Sequence, residues 1–124
     1  MSNSRQHLGQ NGEEIAAALL GENGYRILAR NYRCKCGEID IIAKQGDTLV
    51  FLEVKTRTGM AYGSPSAAVT LKKQRQISRT AQYYLAVHNL FDAPARFDVV
   101  SVIITPHQLP RIEIIANAFD LCED

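Results

Sequence analysis

Apolar residues at the start of the chain recur at helical spacing. Leu8, Ile15, Ala16, Leu19 and Leu20 fall on one stripe at about 100° per residue. The pattern predicts a helix over 8–22, with Gly24 as its stop. Gly12 lies near the middle of the stripe, where a missing side chain permits close packing. Glu14 points away from the core on this wheel. Glu13 lies at the stripe's edge, so only Glu13 can reach something packed beside the helix. Three extended segments follow, over 25–32, 37–43 and 48–55, all rich in Ile, Val, Leu or Tyr. Residues 59–65 (GMAYGSP) read as a loop. A long helix then runs to about His88. Ser64 and Pro65 suit its N-cap and first turn, and Thr70 is a second candidate cap. A connection over 89–95 leads to a buried strand over 96–104. A loop over 106–110 precedes a last short strand over 112–116. The order α-βββ-α-β-β predicts an α/β domain with a mixed sheet flanked by helices.

The segment GEIDIIAKQGDTLVFLEVK, residues 37–55, carries the strongest chemical signal. Gly46-Asp47 suits a two-residue hairpin turn of type II′. Gln45 then faces Thr48, Asp40 stands opposite Glu53, and Glu38 opposite Lys55. Alternation puts all four charged residues on one face. Directly opposed Cβ atoms lie about 4.5–5.5 Å apart, so two carboxylates there repel unless something compensates. A divalent cation does so, since Mg²⁺ takes one or two carboxylates and keeps several waters. Lys55 would hold a water or a phosphate oxygen beside it. Together these are the parts for metal-assisted phosphodiester hydrolysis, with Glu13 as an outer ligand. The plainer reading is an exposed charge cluster in which Lys55 neutralises one acid. The apolar settings EIDIIA and LVFLEVK speak against free solvation, because buried charges need a partner or a metal.

Length and composition narrow the picture. The 124 residues amount to one domain, expected over 1–124 with flexible ends at 1–7 and 121–124. No apolar run is long enough to span a membrane. The N-terminus MSNSRQHLGQNGEE has no apolar core of a signal peptide. Cys34, Cys36 and Cys122 are odd in number, which suggests reduced thiols in the cytoplasm. Cys34-Lys35-Cys36 lacks the spacing of a zinc site.

The net charge of +1 argues against a basic nucleic-acid binder until it is opened by segment. Residues 1–53 carry −1, residues 54–91 carry +6 with no acid, and residues 92–124 carry −4. The basic stretch follows Glu53 and holds Lys55, Arg57, Lys72, Lys73, Arg75 and Arg79. On the long helix, Ile77, Ala81, Tyr84 and Leu85 define the core stripe. Lys72, Arg75 and Arg79 lie on the opposite face. Lys73 and Gln74 fall on the inner stripe, where they either snorkel past the core's edge or point into the hairpin site to hold a phosphate. Tyr62 either stacks on a base or packs as a lid. Asp98, on an apolar strand, pairs with Arg96 or a nearby backbone group.

The motifs GxxGE at 9–13, GYRILARNYRCKCGEIDIIA, LVFLEVKTR, YGSPSAAVTLKKQ and RFDVVSV together resemble the YraN-like family of small bacterial proteins. The resemblance spans about residues 8–119. That family resembles the restriction-endonuclease-like (PD-(D/E)xK) superfamily and is similar to archaeal Holliday-junction resolvases. The resemblance implies a restriction-endonuclease-like fold and a nuclease site dependent on Mg²⁺ or Mn²⁺. Carried over residue by residue, the metal-binding acid falls on Asp40, the following acid and lysine on Glu53 and Lys55, and the helical acid on Glu13. Ile39 stands where the superfamily often has Pro. The function expected is an endonuclease acting on DNA rather than RNA, on branched or damaged structures. Cutting a junction would need a homodimer. The alternative is a nucleic-acid-binding or repair-accessory module that keeps the fold without catalysis.

Overall fold

The computed structural model describes residues 4–58 and 69–122, with side chains from Gly12 onward. Its elements are α1 (Ser4–Glu22), β1 (Arg26–Cys34), β2 (Gly37–Gln45), β3 (Thr48–Thr58), α2 (Leu71–Val87), β4 (Ala95–Ile104) and β5 (Arg111–Phe119). The order α-βββ-α-ββ is the one the sequence predicts. The five strands form one mixed sheet in the order β1-β2-β3-β4-β5. Only β3 and β4 run parallel, joined by the crossover that contains α2. α1 starts a turn before its apolar stripe, because its first residues are polar. Thr70 is the N-cap of α2, its side chain accepting the Lys73 N–H. Residues 59–68, with Tyr62 and the Ser64-Pro65 cap, lie outside the described residues.

A core sits on each face of the sheet. Ala16 and Leu20 of α1 pack with Ile41, Ala43, Val50, Leu52, Val100 and Val102. Ile77, Ala81 and Tyr84 of α2 pack on the other face with Ile39, Ile42, Phe51, Phe97 and Val99. These strands are buried on both faces, which explains their near-continuous apolar runs. α1 approaches β3 so closely that a Cβ on Gly12 would collide with the Thr56 hydroxyl. The missing side chain thus seats the helix on the strand, as its place on the wheel suggested.

The hairpin register departs from the expectation at the chemically important end. Gly46 takes φ +59° and Gln45 faces Thr48, as predicted. The pairing then runs only as far as Ile41 opposite Leu52. Asp40 and Glu53 are not a ladder pair, and Glu38 is not opposite Lys55. The physical reason is that β2 turns over at Asp40. Ile41 packs on the α1 side, yet Ile39 packs with Ile42 on the α2 side. Unbroken alternation would keep Ile39 with Ile41. β1 turns with it: Arg30 faces Ile41, Tyr32 faces Ile39, and Asn31 between them takes φ +52°. Asn is among the few side chains that tolerate that conformation. Glu38 is thereby delivered to Arg33, at 2.9 Å.

Asp98 makes both kinds of contact the sequence left open. It is fully buried and accepts hydrogen bonds from Arg96 Nε at 3.0 Å and the Asn117 N–H at 2.8 Å. The Tyr25 hydroxyl donates to it as well, at 3.1 Å. Arg96 also reaches Gln45 Oε1 at 2.6 Å. The network fastens β4 to β5, to the end of β2 and to the residue before β1. Every buried oxygen in it is paired, so Asp98 belongs to the fold.

Candidate functional site

Glu53 is only 6% exposed, because β3 has a neighbour on each side and α2 over its face. Apolar burial of a carboxylate demands compensation. Two ammonium groups supply part of it. Lys55 Nζ lies 3.8 Å from Glu53 Oε1, and Lys73 Nζ lies 3.9 Å from the same oxygen. Lys55 comes from the same strand, two residues on. Lys73 comes from the first turn of α2.

Asp40 reaches this point by a route other than a ladder pair. Its Oδ2 accepts the Val54 N–H at 2.8 Å, filling the place that strand pairing vacates beyond Leu52. That bond brings its carboxyl beside that of Glu53. Burial and the Asp40 charge push Glu53 up to about 7, against the pull of Lys73 and Lys55. Burial also raises Asp40, opposed by the Val54 N–H, with Glu38 adding to the rise. Each acid therefore holds its proton to higher pH than an ordinary carboxylate does. Glu13 of α1 lies close enough to Asp40 to feel its charge, and its pKa rises through burial and that charge.

The remaining predicted residues divide into three groups. Lys73, left open by the sequence, joins the carboxylates. Gln74 donates to the Val69 carbonyl at 3.0 Å and so holds the start of α2. Lys72, Arg75 and Arg79 are exposed along α2, and Arg57 is half-buried toward the end of β3. Tyr62 lies outside the described residues. Two features escaped sequence reasoning. A cleft of about 340 Å³ beside the site is lined by Arg33, Cys34, Gly37, Glu38, Lys73 and Gln76. Ser101 pairs with Lys55 across β3 and β4, and its buried hydroxyl has no hydrogen-bond partner. A lone Ser within VVSVII was the only trace of it.

Asp40 and Glu53 are oxygen donors, the ligand type that hard divalent cations take. Among the described residues, no three His, Cys, Asp or Glu side chains gather as a metal cage would. Two adjacent carboxylates alone are a poor zinc site. They match Mg²⁺ or Mn²⁺, which accept one or two carboxylates and complete their shell with water. Among the described residues, no helix is long and apolar enough to cross a membrane.

The model of the uncharacterised protein family UPF0102 matches residues 12–102. A UPF0102 protein of Geotalea uraniireducens is 55% identical over 114 residues, covering 92% of this chain and 90% of that one. One of Geobacter sulfurreducens is 51% identical, covering 97% and 94%. One of Moorella thermoacetica is 46% identical, covering 96% of this chain and the whole of that one.

Proposed function

We propose, from the premise that this chain belongs to the UPF0102 family, that it is a divalent-metal-dependent endonuclease hydrolysing phosphodiester bonds in DNA. The observation that carries this reading is the buried Asp40–Glu53 pair with Lys55 and Lys73 both on Glu53. Asp40 and Glu53 would hold Mg²⁺ or Mn²⁺. Bound there, the cation would polarise a phosphoryl oxygen and acidify a water. Lys55 orients the attacking water and stabilises charge developing at phosphorus. Lys73 holds a second phosphate oxygen, and Glu13 keeps Asp40 in place. The mixed sheet between two helices suits the restriction-endonuclease-like superfamily, and we include that assignment in the proposal. The resolvase similarity favours branched or damaged DNA and a homodimer. Three free thiols suit a cytoplasmic setting.

The exposed basic side of α2 favours a second reading, a module that binds nucleic acid without cutting it. One screen separates the two. Wild type is offered duplex, flap, fork and four-way-junction DNA, and RNA, with Mg²⁺ or Mn²⁺ at stated salt. Cleavage that Asp40→Asn and Lys55→Ala abolish, with binding retained, supports the nuclease. Binding without cleavage, and no metal site by titration, leaves the binding module.

A further inference from the structure

The turn between β1 and β2 carries chemistry that the carboxylate site does not use. Cys34 and Cys36 flank Lys35 there, and Cys34 pairs with Gly37 to close the hairpin. The Cys34 side chain folds back over the turn, so that the Cys36 N–H donates to its sulfur at 3.3 Å. The Gly37 N–H lies beside the same sulfur and favours its thiolate, whereas the Thr80 hydroxyl of α2 donates to the Gln76 carbonyl at 2.8 Å. α2 is pressed against this turn: a Cβ on Gly37 would run into the Gln76 side chain. The two thiols thus sit on one short, braced turn. Cys36 is exposed, and Cys34 lines the open cleft of about 340 Å³.

We propose that Cys34 and Cys36 form a peroxide-responsive dithiol, in which Cys34 is oxidised first and Cys36 resolves it to an intramolecular disulfide. The Cys34 thiolate attacks one oxygen of a hydroperoxide. The O–O bond breaks, Cys34 becomes a sulfenic acid, and the other oxygen leaves as water or an alcohol after taking a proton. The Cys36 sulfur then attacks the Cys34 sulfur. Its proton and the sulfenic hydroxyl leave as water, and the S–S bond forms. Two thiols are oxidised by two electrons, and the hydroperoxide is reduced.

The electrostatics assign these roles. Partial burial raises the Cys34 pKa, but the Cys36 and Gly37 N–H groups beside the sulfur outweigh it and bring it below the usual thiol value. Cys36 moves the opposite way, through local desolvation of its sulfur and the neighbouring Cys34, with Arg79 opposing. One sulfur is prepared as the nucleophile and its neighbour keeps its proton, the arrangement of a sensor cysteine beside its resolving partner. Cys122 lies elsewhere in the fold, its backbone N–H donating to Ser78 Oγ on α2.

The test is intact-mass spectrometry and thiol titration of the full chain under graded hydrogen peroxide. Wild type and Cys122→Ser are expected to lose two hydrogens and two thiols, with recovery on dithiothreitol. Cys36→Ser should accumulate a sulfenic acid on Cys34, trapped by dimedone. Cys34→Ser should oxidise about tenfold more slowly, in keeping with the loss of its activated thiolate. Cys34→Ala, checked for folding by circular dichroism, serves the same purpose if the serine variant misfolds. A disulfide that includes Cys122 would overturn the proposal. So would a wild type that keeps all three thiols at doses that form sulfenic acid in Cys36→Ser, or a Cys34 variant that oxidises as fast as wild type.

Discussion

Asp40 Oδ2 accepts the Val54 N–H at 2.8 Å, and this one bond does the work of the strand pairing that stops at Ile41 and Leu52. The same carboxylate is thus a structural acceptor and a candidate metal ligand. Asn keeps the acceptor and loses the charge; Ala loses both. Asp40→Ala is expected to cost about 1–3 kcal/mol, because the Val54 N–H is left without its partner. Asp40→Asn should fold with nearly wild-type stability and lose the thermal shift that Mn²⁺ gives wild type. Urea unfolding and melting with and without Mn²⁺ check both. Equal stability of the two variants would contradict the structural half of this account.

Glu53 makes stability depend on pH in a direction opposite to that of an ordinary paired carboxylate. Its pKa is raised from 4.5 to about 7, so the folded chain keeps a proton that the unfolded chain releases. Below the unfolded value both states are protonated and nothing is lost. As pH climbs from 4.5 toward 7, only the unfolded state ionises, and stability falls. Above that window the full penalty stands, roughly 3 kcal/mol for a buried group shifted this far. Glu53→Gln should therefore be more stable than wild type near pH 8, and the gap should close near pH 4. A difference that does not change with pH would refute the assignment.

The same proton competes with metal. A divalent cation needs both carboxylates ionised, so binding must expel the proton from Glu53. The stabilisation of wild type by saturating Mg²⁺ or Mn²⁺ is expected to grow as pH rises through neutrality. Lys73→Ala removes one of the charges that hold Glu53 down, and should shift this rise to higher pH. Melting temperature against pH, at fixed metal, reads both effects.

Lys72, Arg75 and Arg79 are exposed on α2. Replacing all three with Gln removes three positive charges from that face. Binding to DNA should weaken and lose about three from the slope of log affinity against log salt, if each contacts one phosphate. An unchanged slope would place the nucleic acid elsewhere.

The fold was largely legible because its elements carry clean periods. The α1 stripe marked Ala16 and Leu20 for the core, and both are buried. Gly46 fixed the hairpin turn and its register for five pairs. The register failed at Asp40 because alternation assumes an unbroken pleat, and the turnover at Asn31 and Asp40 depends on how β1 and β2 pack between two helices. Asp40 and Glu53 still meet, through the Val54 N–H. Lys73 was ambiguous because a helical wheel places it beside the core without saying whether an acid waits there. The setting of Cys34 was invisible because it depends on the backbone of the turn, which carries the Cys36 N–H to the Cys34 sulfur.

Two glycines of α1 offer a matched test of how the helix is seated. A Cβ on Gly12 would collide with the Thr56 hydroxyl, whereas a Cβ on Gly21 meets nothing within 4 Å. Gly21→Ala changes only the helix's own preference and should stabilise the protein by about 0.5–1 kcal/mol. Gly12→Ala gains the same preference but forces α1 away from β3, and overpacking of this kind costs about 1–3 kcal/mol. Thr56→Ala removes the colliding hydroxyl, so the double variant should recover part of the loss. Their coupling in a double-mutant cycle should exceed about 0.5 kcal/mol, as it does for residues in contact. Because Gly12 precedes Glu13, displacing α1 should also loosen the Glu13 contact with Asp40. Gly12→Ala is therefore expected to weaken Mn²⁺ stabilisation, while Gly21→Ala leaves it unchanged. If both variants stabilise the fold, α1 is not seated on Thr56.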